Sequence, residues 1–210
     1  MQFALTEEQE LLRREARDAL MNGGWSREEI AAAELSFADQ AVLFEEAGRA
    51  NVGESLFDED RPENERLAIL ALEAVGIGKK TLELGIEHAQ NREQFGRKIG
   101  VYQAVSHRLA DTFVETELAR SLAYWAAWCV AEDDEQAPIA VAAAKAYASD
   151  AAVAACERSI QVHGGIGFTW EHESHLYLKR VKLDELLFGT PSWHRRRLAS
   201  TLIESVNRRG

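Results

Sequence analysis

A cluster of basic residues near position 95 has the chemistry of an anion-binding site. Arg92, Arg97 and Lys98 flank Phe95 and Gly96, and a guanidinium group binds a diphosphate through paired, charge-assisted hydrogen bonds. The same residues follow a long helical pattern, and basic side chains at the end of a helix complement its dipole. The cluster is therefore either a pyrophosphate site or an ordinary helix terminus.

A glycine-rich run at residues 164–167 (GGIG) is a second candidate anion site. Loops of this kind expose backbone N–H groups that can hold an anion. A dinucleotide-binding fold requires a strand before the glycines, however, and an alanine-rich helical pattern precedes them here. The spacing favours a helix C-terminus with a glycine immediately after it.

Two other chemistries find little support in the sequence. His172 and His175 are three residues apart on a predicted helix, a spacing that could hold a metal. A bundle metal site of the di-iron kind requires Glu-x-x-His pairs on two helices, so we predict exposed polar residues here and no metal. The sequence contains no Gly-x-Ser-x-Gly motif. Cys129 and Cys156 lie in alanine-rich runs, and we predict that they are core residues.

The elements that position these residues are predicted to be helices. Apolar residues recur at spacings of three and four over residues 62–92, about 102–130 and 139 to about 163, with shorter helices at about 171–188 and about 192–206. Pro62, Pro138 and Pro191 each stand where a helix can begin. No segment alternates with period two, so we predict an all-α antiparallel bundle without a sheet.

The first 50 residues are predicted to form two or three short helices. The predicted N-terminal caps are two capping-box pairs, Thr6 with Gln9 and Ser26 with Glu29, together with Ser36. Residues 22–24 (NGG) are a predicted helix stop, and the acidic residues 54–61 are a predicted exposed connection.

Composition indicates one main domain and a cytoplasmic location. The 210 residues, 46% of them hydrophobic, suffice for one sizeable core. A net charge of −11 argues against a nucleic-acid partner, although residues 175–210 hold 8 basic and 3 acidic side chains and would favour a small anionic ligand. We expect no signal peptide, because the N-terminus turns acidic at once, and no membrane span.

Two segments together resemble the signatures of acyl-CoA dehydrogenases. They are residues 91–99 (NREQFGRKI) and 161–168 (QVHGGIGF), and residues 102–111 (YQAVSHRLAD) between them fit the same family. The resemblance extends over about residues 67–199 and includes the separation of the motifs and their helical setting.

The resemblance implies a bound FAD. In the family the matching residues contact an FAD that lies across a subunit interface, which points here to Arg92, Gln94, Phe95, Gln161, Gly164, Gly165 and Thr190. It also implies an oligomer, homomeric or heteromeric, an acyl-CoA substrate and, if the chain is active, an electron-transfer flavoprotein as electron acceptor.

The chain departs from the family in its domains. Family members have a β-domain between two helical domains, and here the helix containing Glu46 leads within about 20 residues into the long helix. We expect residues 1–60 to be a remnant of the N-terminal helical domain and residues 61–210 to be the C-terminal four-helix-bundle domain, with the β-domain missing.

The second departure concerns the catalytic base. The family's usual glutamate lies in a Tyr-Glu-Gly-Thr-like turn, where this chain has Phe188 followed by Gly189 and Thr190. Some members place the glutamate near the start of the long helix instead, and Glu65 has a similar setting. Counting back from Arg92 puts Glu65 one residue away from that position, which is about 100° around a helix. An acid in a first helical turn is also favoured by the dipole alone.

Two functions follow from the resemblance. One is an FAD-dependent acyl-CoA dehydrogenase, acting alone or with a partner subunit that supplies the base and the flavin cover. The other is a non-catalytic helical scaffold or partner subunit. An unrelated bundle with chance motifs would not explain two signatures in order.

Overall fold

A computed structural model of the chain describes residues 5–21, 35–52 and 60–207. The helices are α1 (Glu7–Met21), α2 (Phe37–Ala50), α3 (Glu63–Asn91), α4 (Gln103–Ala131), α5 (Ala137–His163), α6 (Ser174–Leu186) and α7 (Pro191–Asn207). Two short strands, β1 (Glu93–Gln94) and β2 (Arg97–Lys98), precede a 3-10 turn at Ile99–Val101, and a second 3-10 turn occupies Gly164–Phe168. The all-α prediction is confirmed.

The predicted helices agree closely with the observed ones, with two corrections. The helix predicted at 171–188 begins only at Ser174 and ends at Leu186. The prediction of no sheet is wrong in one place, because β1 and β2 pair as an antiparallel hairpin. Strands of two residues are too short to show a period-two pattern.

Side-chain caps fix the beginnings of the first two helices. Thr6 N donates to Gln9 Oε1 at 3.1 Å and Gln9 N donates to Thr6 Oγ1 at 3.2 Å, which is the predicted reciprocal capping box. Ser36 Oγ accepts from Asp39 N at 3.2 Å, as predicted. The predicted Ser26–Glu29 box, the stop at 22–24 and most of the connection at 54–61 lie outside the described residues.

Helices α3 to α6 alternate in direction. Gly78 and Gly85 of α3 face Thr116 and Leu109 of α4, so these two helices are antiparallel. The alternation makes α3 and α5 parallel, and Gly78 also approaches Ala152 of α5. Small side chains allow helix axes to come close, and these contacts keep α3 and α5 in register along their length.

Helix α2 crosses α3 at two glycines. An added Cβ at Gly48 would lie 2.0 Å from the Glu73 carbonyl oxygen, and one at Gly76 would lie 1.9 Å from the Glu45 carbonyl oxygen. Only glycine permits backbones to approach this closely. Helix α2 is thus packed directly against the bundle, and the division into two domains at position 61 stays a prediction.

A buried carboxylate fastens the same crossing. Glu45 lies 2.6 Å from Lys79 Nζ and 3.4 Å from Arg120 Nε, and it accepts a 2.6 Å hydrogen bond from the Tyr124 hydroxyl. Burial by itself raises the pKa of Glu45, but the two cations outweigh it and the net pKa is lowered. The carboxylate therefore stays charged and joins α2 to α3 and α4.

The alanine-rich helix α5 forms the centre of the core. Within the described residues one stretch, Ala137–Phe168, is long and apolar enough to cross a membrane, which the sequence analysis did not expect. Most of that stretch is buried among the other helices, as is usual for the central helix of a bundle. Cys129 and Cys156 are both buried in the core, as predicted.

The close α2–α3 crossing predicts that a side chain added at Gly76 destabilises the fold. Gly76→Ala should lower the free energy of unfolding by about 3 kcal/mol, because the new methyl group overlaps the α2 backbone. The matched control is Gly165→Ala, where an added Cβ meets no atom within 4 Å among the described residues. Urea unfolding followed by circular dichroism measures both variants. A Gly76→Ala loss no larger than that of the control would contradict this packing.

Candidate functional site

The two motif-bearing segments meet at one end of the bundle. Helix α3 ends at Asn91 and α5 ends at His163. The rings of His88 and His163 lie against each other with centroids 4.5 Å apart. The parallel course of α3 and α5 therefore brings the β-hairpin and the glycine loop to the same end. Six of the seven predicted cofactor residues are on these two segments: Arg92, Gln94, Phe95, Gln161, Gly164 and Gly165.

The hairpin presents an aromatic ring at its tip. Phe95 and Gly96 have φ values of 54° and 77°, and positive φ at both central residues is typical of a two-residue turn of type I′. The Phe95 side chain is 91% exposed. A bulky residue held in left-handed backbone with its ring in solvent gains nothing from the core, which points to a role in binding.

The Tyr102 side chain contacts both strands of the hairpin and its tip. Its hydroxyl donates to the Gln94 carbonyl at 3.1 Å, its ring meets that of Phe95 edge-on at 6.5 Å, and Arg97 lies over its face at 6.0 Å. In the sequence, Tyr102 belongs only to the linking stretch 102–111. Its supporting role depends on the hairpin that the sequence did not reveal.

The three basic residues at this end have different tasks. Lys98 Nζ lies 2.8 Å from Glu93 Oε1 and donates to the Asn91 carbonyl at 3.1 Å, so Lys98 completes the helix terminus. Arg97 contacts Tyr102. The Arg92 guanidinium is exposed and has no ion-pair partner among residues 5–21, 35–52 and 60–207. Of the three, Arg92 has neither an ion pair nor an aromatic contact within the described ranges, and Arg97, also without an ion pair there, lies against Tyr102.

The glycine loop divides into a packed part and an open part. Gly164 ends α5 at φ 64°, and its N–H points back to the Gln161 and Ile160 carbonyls. A Cβ at Gly167 would approach the Ile160 carbonyl oxygen to 2.8 Å, so Gly167 is needed for packing. Gly165 is open on its Cβ side. The prediction of a helix C-terminus is confirmed, and Gly165 leaves room for a ligand beside it.

Thr190 lies at the opposite end of the molecule. Its Oγ1 accepts from Trp193 N at 3.3 Å at the start of α7, which leaves the hydroxyl hydrogen free to donate. The adjacent Phe188 ring lies under the Arg66 guanidinium, 4.4 Å from the Arg66 Cζ atom. Arg66 and His88 mark the two ends of α3, and the helical rise separates them by about 33 Å.

Two buried side chains, Lys145 and His194, hold the turn that contains Phe188. Lys145 Nζ donates to the Asp184 and Glu185 carbonyls at 2.7 and 3.3 Å, which caps the last turn of α6. His194 Nε2 is 3.1 Å from the Phe188 carbonyl. Burial lowers the pKa of Lys145 to about 8 and, with Lys145 nearby, also lowers the pKa of His194. Phe188 has φ 55°, so a strained turn is kept here without a carboxylate.

Glu65 and its neighbour Arg66 contact different partners. Its carboxylate forms a 2.9 Å ion pair with Arg61 one turn earlier, while Arg66 covers the Phe188 ring. The one-residue offset counted from Arg92 agrees with this arrangement. The role of Glu65 as a base stays a prediction.

The histidines differ from their prediction. His172 precedes α6, so it is not on a helix with His175, and both rings are half-buried where exposed side chains were predicted. His172 lies 4.1 Å from His163, ring centroid to centroid. In the part of the chain that the structure describes, no group of three or more His, Cys, Asp or Glu side chains is placed to hold a metal ion.

Two exposed aromatic residues at the end of the glycine loop were not among the predicted site residues. Phe168 is 77% exposed and Trp170 is 82% exposed. Trp170 has Lys179 4.4 Å above its ring. The sequence signal for these residues was their position directly after the glycines. Helical periodicity could not reveal their exposure, because they lie outside the α-helices.

The residues at the hairpin and loop fit one end of an FAD. An unpaired guanidinium suits a diphosphate, an exposed ring suits stacking, and an open glycine permits close approach of the cofactor to the backbone. Arg92, Phe95 and Gly165 lie on an exposed surface, and Thr190 is about 33 Å away along α3. The seven predicted cofactor residues therefore lie in two separate groups within one chain.

The chain is similar to known proteins over about two thirds of its length. Residues 59–203 match the family model for the C-terminal domain of acyl-CoA dehydrogenase. The chain is 42% identical over 137 residues to acyl-CoA dehydrogenase IpdE2 of Mycobacterium tuberculosis, and the match covers 65% of this chain and 41% of that protein.

Solved structures give the same result. Butyryl-CoA dehydrogenase from Megasphaera elsdenii superposes with a TM-score of 0.64 at 28% identity, covering 67% of this chain and 36% of that chain. A chain of the ChsE4–ChsE5 complex from Mycobacterium tuberculosis gives 0.64 at 33% identity, covering 67% and 38%. The chain spans less than half the length of the relatives it matches.

The hairpin geometry predicts that the Phe95 ring contributes to ligand binding and does not stabilise the fold. Phe95→Asn should leave the free energy of unfolding unchanged or raise it by about 1 kcal/mol, because asparagine tolerates positive φ and the lost ring is exposed. The control is Phe113→Asn, a half-exposed phenylalanine inside α4, which should lose stability. Urea unfolding measures both. A loss above 1 kcal/mol in Phe95→Asn would show that the ring stabilises the fold.

Proposed function

The chain belongs to the acyl-CoA dehydrogenase family, and on that premise we propose that it is an FAD-binding component that becomes a complete site only with a second chain. The reaction class is α,β-dehydrogenation of an acyl-CoA thioester. The proposed location is the cytoplasm, and the proposed electron acceptor is an electron-transfer flavoprotein.

The observation that carries this proposal is the separation of the two groups of predicted cofactor residues. The Arg92–Phe95 hairpin and the glycine loop are at one end of α3, and Thr190 with Phe188 is at the other, about 33 Å away. A single FAD would have to span the length of α3 to touch both groups within one chain. Two chains placed side by side can bring opposite ends to one cofactor, and one of the similar structures is a complex of two differently named chains, ChsE4 and ChsE5.

Each proposed binding residue has a defined task. Arg92 would bind the diphosphate through its guanidinium, Phe95 would stack, and Gly164 and Gly165 would let the backbone approach closely. Gln94 and Gln161 are exposed amides beside them. At the other end, the Thr190 hydroxyl would donate a hydrogen bond, because its oxygen already accepts one from Trp193 N. Bound FAD would supply the hydride acceptor for the dehydrogenation.

The turn that carries the family's usual catalytic base has no carboxylate in this chain. Phe188 cannot take a proton, and Arg66 covers its ring. A carboxylate from the second chain is therefore the proposed base, and Glu65 is the candidate within this chain. A proton-abstracting carboxylate must also be shielded from water with its substrate, which requires covering structure beyond the described helices.

A non-catalytic scaffold is the second candidate function. The observation that favours it is the Phe188–Arg66 contact, in which an aromatic ring and a cation occupy the turn that carries the family's usual base. In this case the chain would stabilise a hetero-oligomer or hold an acyl-CoA without oxidising it. Uptake of FAD without turnover in the complete assembly would distinguish the scaffold from the enzyme.

The binding role of Arg92 gives a direct test. Arg92→Ala should weaken FAD binding roughly 10- to 100-fold, because a charge-assisted contact with the diphosphate is lost. The matched control is Arg14→Ala, an exposed arginine on α1 far along the chain from both motifs. Quenching of FAD fluorescence measures both variants. Equal affinities in the two variants would remove Arg92 from the site.

The origin of the base is tested in the assembled, FAD-loaded complex. Glu65→Gln should change turnover less than about twofold if the second chain supplies the base, since Glu65 is paired with Arg61. Loss of turnover by 10²-fold or more, the usual cost of removing a general base, would instead identify Glu65. Phe188→Glu is the companion variant, because it returns a carboxylate to the turn and should add proton abstraction in this chain.

A further inference from the structure

Three histidine rings form a column at the end of the bundle that holds the two motifs. His163 lies between His88 of α3 and His172, with ring centroids 4.5 Å and 4.1 Å away. His163 is the last residue of α5, and His172 belongs to the segment between the glycine loop and α6. The column thus joins α3, α5 and the loop that leads into α6.

Hydrogen bonds fix where the protons of this column are. His163 Nδ1 lies 2.7 Å from the Ser159 carbonyl, which can only accept, so this nitrogen carries a hydrogen. His172 Nδ1 lies 3.2 Å from the Ser174 backbone N–H, which can only donate, so this nitrogen carries a lone pair. His172 is therefore neutral in this arrangement.

The neutral ring of His172 acts as the cap of α6. Ser174 is the first residue of α6, and its N–H is one of the backbone donors that a helix leaves unpaired at its start. His175 of the first turn donates in return from Nδ1 to the His172 carbonyl at 2.7 Å. A protonated His172 cannot accept from Ser174, and its charge would face the positive end of the α6 dipole.

The surrounding charges also oppose protonation. The His172 and His163 rings, 4.1 Å apart, repel each other when both carry a charge. Burial, then His163, lowers the pKa of His172, and Glu173 only partly offsets this. Burial, then His163 and Arg92, lowers the pKa of His88.

The acidic neighbours do not cancel this effect. Glu173 also lies 3.9 Å from Lys80 Nζ of α3, and Glu171 is exposed. On the α6 side, His175 packs edge-on against Trp170 at 4.9 Å, and Lys179 covers that tryptophan. The Glu173 carboxylate is thus shared with Lys80.

We propose that the His88–His163–His172 column is a proton-sensitive lock that holds the segment between the glycine loop and α6 when His172 is neutral and releases it when His172 is protonated. The released segment contains Trp170 and continues from Gly164–Phe168. The lock requires neither FAD nor a second chain, so it can be tested independently of the proposed function.

The sign of the pH dependence follows from the lowered pKa. In the released state His172 regains the ordinary imidazole pKa of about 6.5. The locked state binds its proton only at lower pH, so the lock is complete above about pH 6.5 and weakens as pH falls below it. At pH 5.5, one unit below the ordinary pKa, the released population should rise, by at most about tenfold for one proton.

The experiment is amide hydrogen exchange in the first turn of α6, measured on the full chain without FAD at pH 7.5 and 5.5. After correction for intrinsic exchange rates, the native chain should exchange faster at pH 5.5, by up to about tenfold. His172→Asn keeps an acceptor that does not titrate, so its corrected rates should be equal at both pH values. His172→Phe keeps a ring without an acceptor and should exchange fast at both.

A control and a direct titration keep this test decisive. His107→Asn changes an exposed histidine of α4 outside the column, and its pH response should match that of the native chain. NMR titration of the native His172 ring should give a pKa below 6.5. Equal native rates at both pH values, an ordinary pKa for His172, or an undiminished pH response in His172→Asn would overturn the proposal.

Discussion

The close parallel packing of α3 against α5 is the constraint on which the rest of the structure depends. Gly78 and Gly85 allow the helices to approach, and Ala152 and Ser159 face them from α5. The two helices have 29 and 27 residues and remain in register. Their C-termini consequently end at the same level, and the hairpin after α3 meets the glycine loop after α5.

Buried charges attach the outer helices to this pair. Glu45 fastens α2 through Lys79 and Arg120, and Arg180 of α6 reaches Glu73 of α3 at 3.1 Å. Lys145 caps the end of α6 from within α5. Breaking one partner of a buried pair leaves an uncompensated charge, so these contacts define where each helix sits as well as how strongly it is held. The turn at Phe188 and the column at His163 are positioned by this frame.

Much of the fold could be predicted from the sequence because helical periodicity, proline positions and capping residues are local signals. The Thr6–Gln9 box and the long helix at Glu63–Asn91 are examples. The register of Arg66 could be counted from Arg92 because α3 is uninterrupted between them.

The rest depended on contacts between distant residues. A hairpin of two-residue strands has no periodicity, and the cap that His172 gives to α6 is visible only once its ring has been placed. The sequence motifs give the predicted cofactor residues in chain order and carry no information on the distances between them. The distance between Thr190 and the other six arises from the length and direction of α3 and could not be read from the order of the motifs.

The most direct test of the central claim is size-exclusion chromatography of the chain with FAD, with visible absorption and light scattering recorded on the same peaks. A cofactor site assembled from opposite ends of two chains predicts flavin absorbance only in species with the mass of two or more chains. A flavin-loaded peak at 23.4 kDa, the mass of a single chain, would contradict the account.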